Sequence, residues 1–179
     1  MTNTALLDSI PRPIDPGAEM DALGPFHRDG TWSGTIHAGG MGPGTPTQLA
    51  RGKAAHRWIQ DGRWVVGDYE QDQLLDDGTF VLKWELHWVC GWDPMASEYK
   101  ATIADNYGRA ALLHGRIEGD AMIFESTDAS PPFLRLTWEL GPGGKILWRN
   151  EISMDGEAWI LVEDYEITPT DQSAVHTSG

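Results

Sequence analysis

Between residues 80 and 90 two kinds of side chain alternate. Phe80, Leu82, Trp84, Leu86, Trp88 and Cys90 fall on one parity, and Val81, Lys83, Glu85, His87 and Val89 on the other. A period of two predicts a β-strand with one greasy and one ionisable face, and the aromatic and β-branched content suits a pleated surface. Turn signals then arrive at short intervals: DG at 61–62, DDG at 76–78, GWDP at 91–94, EGD at 118–120, GPGG at 141–144 and DG at 155–156. Such spacing separates strands rather than helices. It predicts strands near 31–37, 48–59, 63–73, 79–90, 97–106, 109–117, 121–127, 133–140, 145–154 and 158–168. Sequential hairpins make these antiparallel, and a meander of this size closes into a barrel because closure removes exposed edges. The expected fold is all-β, a closed antiparallel meander barrel of about eight to ten strands with a central ligand cavity.

The ends read differently. Pro11, Pro13 and Pro16 and the lack of periodicity mark 1–22 as an N-terminal extension, 23–169 is the barrel domain, and TDQSAVHTSG makes 170–179 a flexible tail. A short helix fits only near 4–10 or 18–24. HAGGMGPGTP at 37–46 follows a strand but opens no helical pattern, so it is a loop at a barrel mouth and not a phosphate loop.

The chain has 179 residues, enough to bury a core without staples, and a net charge of −14 that repels nucleic acid and anionic membrane surfaces. The N-terminus lacks the basic and apolar regions of a secretory signal, and no apolar run reaches membrane-spanning length. A single cysteine, Cys90, forms no internal disulfide and fits a cytoplasmic location. On an apolar face it reads as a buried small hydrophobe.

Four of six histidines, His37, His56, His87 and His114, fall within predicted strands, and a histidine in a dry cavity can move protons. In EYKATIADNYGR the residues Tyr99, Ala101, Ile103, Asp105 and Tyr107 share a face. Asp105 is there either a base with a raised pKa or a cap of the next turn. The catalytic candidates are therefore His37, His56, His87, Asp105, Tyr107 and His114. Nine tryptophans are present; Trp58, Trp84, Trp88, Trp138, Trp148 and Trp159 lie in strands and, with Tyr69 and Tyr99, are the ligand-binding candidates. A lumen so lined suits an aromatic or polycyclic ligand; the alternative is a core packed on itself. No short-spaced ligand pair marks a metal site, so no metal is expected. Burying two indoles outweighs burying a lysine and a glutamate, which points Trp84 and Trp88 inward. In a polar, catalytic lumen the phase would invert and Lys83, Glu85 and His87 would line it.

GTWSG at 30–34 has a G-x-W-x-G form and is followed in order by DGRWVVGDYE at 61–70, GWDPMASEYKATIADNYG at 91–108 and LHGRIEGDAMIFE at 113–125. Together these resemble a family of bacterial lipocalin-like, calycin-type barrels known only as a domain of unknown function. The resemblance covers about residues 24–168 and implies a closed barrel with a cavity, with Asp105 at the family's strand-ending aspartate; it implies no reaction. Haem-binding nitrobindin-type barrels share the opening motif but hold iron through a late histidine. KILWRNEISM and AWILVEDYEI have none, so no haem, and no other cofactor, is expected.

The leading reading is a cofactor-independent enzyme of lyase, isomerase or cyclase type, using general acid–base residues on a hydrophobic or aromatic substrate in the barrel. The alternative is a non-catalytic carrier or sensor of the same ligand. A structural subunit would need a large exposed apolar patch. The expected partner is a hydrophobic or aromatic small molecule, with neither nucleic acid nor membrane; a homodimer is left open.

Overall fold

A computed structural model of the chain describes residues 15–170. Ten strands follow one another: β1 (Gly30–Ile36), β2 (Gln48–Ile59), β3 (Trp64–Leu74), β4 (Phe80–Asp93), β5 (Glu98–Asp105), β6 (Ala110–Glu118), β7 (Ala121–Ser126), β8 (Phe133–Leu140), β9 (Ile146–Ser153) and β10 (Trp159–Pro169). Each pairs antiparallel with the next, and β1 pairs with β10 to close the barrel. The meander expected from the turn spacing is the architecture. The expected helix at 4–10 and the tail beyond 170 lie outside the described residues.

On β4 the aromatic face points inward. Trp88 is buried, Trp84 and Leu86 line the interior, and Lys83, Glu85 and His87 are exposed. The inverted phase does not occur. The strand is longer than the sequence suggests: Gly91 does not end it but pairs with Lys100, and β4 runs on to Asp93. A Cβ at Gly91 would lie 2.6 Å from the Trp64 ring, so glycine here is what lets two strands and an indole share the space.

One end of the barrel is plugged from within. The short helix α1 (Ala18–Asp21) and the 3₁₀ turn Gly24–Phe26 place Met20, Leu23, Phe26 and His27 on one helical face, and all four are buried. The plug is tied to the wall by polar contacts. The Tyr99 hydroxyl donates to Glu19 O at 2.8 Å, the Trp92 N–H to Met20 Sδ at 3.2 Å, and Trp88 Nε1–H to His27 Nε2 at 3.0 Å. Met20, within the stretch expected as an N-terminal extension, therefore packs into the barrel's core. Leu23 is fully buried, so Leu23→Ala should cost about 3 kcal/mol in urea denaturation. A loss under about 0.5 kcal/mol, the size of an ordinary surface substitution, would show that the plug contributes nothing to the fold.

Above the plug the core is aromatic: Trp88 meets Phe124 edge-on at 5.1 Å and Trp138 at 5.3 Å. Cys90 is buried beside them and burial pushes its thiol up, which makes it a packing residue and not a nucleophile. The opposite end carries the β1–β2 loop, whose Met41 packs against the core.

Candidate functional site

The barrel encloses a cavity of about 80 Å³ between plug and mouth. Trp84, Trp88 and Trp138 form one side. The other is a stack in which Tyr165 lies nearly parallel to Trp148 at 4.8 Å and to Trp32 at 6.4 Å, with Tyr69 tilted against Trp32 at 5.9 Å. These rings converge because each occupies an inward parity position on its strand. Trp32 can lie across β2 only because residue 52 is glycine.

Gln71 is the one lining residue with a polar, non-aromatic side chain. It is 1 % exposed, and neither its Oε1 nor its Nε2 makes a well-formed hydrogen bond; its polar neighbour is the Tyr165 hydroxyl, whose pKa the amide pulls down against burial. Trp32 Nε1 is likewise buried and unpaired. Toward the mouth the interior becomes more polar, with Gln48, Gln73 and Glu163 all buried. The Tyr165 hydroxyl donates to Glu163 Oε2. Burial raises the Glu163 pKa against the opposing hydrogen bonds from Tyr165 and Asn150. It raises that of Tyr165 too, with the Glu163 carboxylate adding to the effect.

Between cavity and plug lies a pair of neutral histidines. His27 Nδ1 bonds to Leu23 O at 3.0 Å, which assigns the proton there and leaves Nε2 to accept from Trp88. Burial, and secondarily the neighbouring His56, push its pKa down to about 3. His56 Nε2 pairs with the Tyr69 hydroxyl at 2.9 Å, and the two imidazoles meet edge-on at 5.5 Å. Burial takes His56 down to about 4. Its Nδ1 faces the Arg28 backbone and lies 3.9 Å from Asp29 Oδ1.

The structure brings some predicted site residues together and disperses others. Tyr69, Trp84, Trp88, Trp138 and Trp148 line the cavity, and His56 touches it through Tyr69. Trp58 and Tyr99 pack in the core without lining it. His37 sits at the rim, 3.2 Å from Asp164 Oδ1 and half-exposed. His87 points outward and bonds Asp68 at 2.6 Å. His114 lies between buried Leu113 and Gly115, on the outward parity. Tyr107 is exposed in the β5–β6 turn. Asp105 is the turn cap, not a base of raised pKa. It accepts from the Tyr107 and Arg109 backbone N–H groups at 3.0 and 2.9 Å and from Arg109 Nε at 2.8 Å. Burial alone would raise its pKa, but these bonds and one from Trp84 Nε1 at 3.2 Å hold it below the ordinary carboxylate value. Trp159 shares sequence parity with Tyr165 yet faces out, stacked on the Arg135 guanidinium at 3.7 Å. The register of β10 slips between Leu161 and Glu163, and that slip reverses the facing of everything before it. Among the described residues, no three His, Cys, Asp or Glu side chains group to hold a metal ion, and no helix is long and apolar enough to cross a membrane.

The residues not foreseen are His27, Trp32, Gln71, Glu163 and Tyr165. Trp32 had a signal in GTWSG; Gln71 and Glu163 had none, because polar letters in a strand read as solvent-facing.

A closed ten-stranded barrel around an aromatic cavity places the protein in the class of barrels able to enclose a small ligand. A family described as a protein of unknown function (DUF1579) matches residues 16–170, so the chain belongs to that family. Comparison with the curated proteins finds no match. Among solved structures, the crystal structure of Rv2717c from M. tuberculosis is similar, with a TM-score of 0.57 and 10 % identity over 87 % of this chain and 99 % of that one. At that identity the likeness concerns the fold.

Proposed function

We propose that the protein is a small-molecule-binding barrel, a carrier or sensor, that takes a compact ligand with an apolar body and one polar end. The observation that carries this reading is Gln71: a fully buried amide in an aromatic cavity with its Oε1 unpaired and its other end offered only the Tyr165 hydroxyl. An unsatisfied buried polar group costs about 1–3 kcal/mol, so it persists where something pairs with it. Gln71→Leu should therefore hold or raise stability by about 1 kcal/mol and weaken binding of isobutanol, read by tryptophan fluorescence, by about fivefold or more. If Gln71→Leu left isobutanol affinity unchanged, or if isobutanol and similarly compact alcohols left the fluorescence unaltered, this reading would fall.

The second reading, an acid–base enzyme, is favoured by one feature. Tyr165 lines the cavity and is held by the buried Glu163 carboxyl. It differs in requiring turnover. Glu163→Gln should then lower product formation on the order of 10²-fold with ligand quenching retained. The dispersed positions of His37, His87, His114 and Tyr107 are why binding without chemistry is placed first.

A further inference from the structure

In the upper interior the buried side-chain atoms left unpaired are mostly acceptors. Across the sheet, Asn150 stands opposite Glu163, Glu163 opposite Ile36, and Ile36 opposite Gln48. Gln71 and Gln73 share a face of β3, opposite Gly52 and Ala50. These positions form one contiguous patch of inner wall, since directly opposed Cβ atoms lie about 5 Å apart. Within it the side-chain oxygens of Gln48, Gln71, Gln73 and Asn150 are all buried without a partner, against two unpaired donors, Gln71 Nε2 and Trp32 Nε1.

Two further features point the same way. Most of the cavity wall is π face, the surface that attracts a cation most strongly when water is excluded. Two carboxyl groups flank it. Glu163 is bonded to the Tyr165 hydroxyl, and Asp105, its side chain 7 % exposed, accepts from Trp84 Nε1 and so makes that indole face more electron-rich. No lysine or arginine among the described residues lines the cavity. The net charge of −14 raises the concentration of cations near the protein. Asp105 is already paired with Arg109, whose charge also reaches Glu163; a carboxylate ligand would still meet no lysine or arginine on the cavity wall, and a hydrocarbon would leave the Gln71 oxygen unpaired.

We propose that the cavity takes a small organic amine as its ammonium ion. The cationic head lies against the Trp and Tyr faces, its N–H groups turn to the unpaired amide oxygens, and Glu163 is its counter-ion. The inference rests on the small-molecule-binding reading above and names its ligand class. A short alkyl ammonium fits within this cavity.

The test uses the full-length protein at pH 7.5 and constant ionic strength, titrated with isobutylammonium chloride, isobutanol and sodium isobutyrate. Binding is followed by tryptophan fluorescence and calorimetry. The ammonium ion is expected to bind at least about tenfold more tightly than isobutanol, and isobutyrate more weakly than either. Glu163→Gln, which keeps the shape, should remove the preference while isobutanol still binds. Trp84→Leu, which removes one π face without touching Glu163, should reduce it too. Isobutanol binding as tightly as the ammonium ion, or a preference that survives both substitutions, would overturn the amine assignment and leave the binding barrel standing. Failure of all three to bind would overturn both.

Discussion

Replacing Gly52 with valine should destabilise the protein by about 3 kcal/mol or more and displace Trp32 from the cavity wall. A Cβ at this position would sit 2.3 Å from the Glu70 carbonyl oxygen on β3 and 2.3 Å from Trp32 Cζ2. The first contact is with backbone in a paired strand, which cannot yield without opening the β2–β3 ladder. The second is with an indole held in a stack by Tyr165 and Tyr69. Alanine meets the same two contacts and should cost most of the same amount. Urea denaturation gives the stability change and near-ultraviolet circular dichroism reports the tryptophan stack. If Gly52→Ala proved within about 0.5 kcal/mol of the parent, with the aromatic signal unaltered, the close approach across β2 would not be what forms the cavity.

The same position illustrates what the sequence does and does not disclose. Alternation within each segment and the regular turns determine ten strands and their order, because both are local consequences of backbone geometry. The facing of β4 was equally readable, since burying Trp84 and Trp88 outweighs burying Lys83 and Glu85. What escapes is decided by contacts between strands distant along the chain. Nothing local says that Trp32 will lie over residue 52. The slip between Leu161 and Glu163 turned Trp159 outward while Glu163 keeps the parity of Tyr165, and a bulge has no reliable signature in composition. Met20 fell in the stretch expected as an extension because a four-residue helix has too few turns to show periodicity. The polar patch of Gln48, Gln71, Gln73 and Glu163 was the hardest to foresee. Buried polar groups are the exception to patterning, and sites are where such exceptions gather.

Acid should unfold the protein well above the range in which carboxylates alone act, and the cause is the His27–His56 pair. Both are held neutral by burial, at about 3 and about 4 against an ordinary value of 6.5. The unfolded chain therefore takes up two protons that the folded chain refuses. Stability is fully present above pH 6.5 and falls as pH drops toward the folded values, by about 1.4 kcal/mol per histidine per pH unit. Between pH 6 and 4 the pair removes about 5 kcal/mol, a large share of a small domain's stability. Glu163 acts in the opposite sense, since its raised pKa lets the folded state keep a proton the unfolded state releases; this makes a single curve ambiguous. The comparison that isolates the histidines is the double variant His27→Gln, His56→Gln, in which Glu163 and every surface carboxylate are unchanged. Glutamine can still accept from Trp88 and pair with Tyr69, so the plug keeps its anchors. Urea denaturation at half-unit steps from pH 7.5 to 4 should show the parent losing about 5 kcal/mol more than the variant over the last two units. Parallel curves for the two proteins would mean that the plug's imidazoles find protons, or water, without leaving the fold.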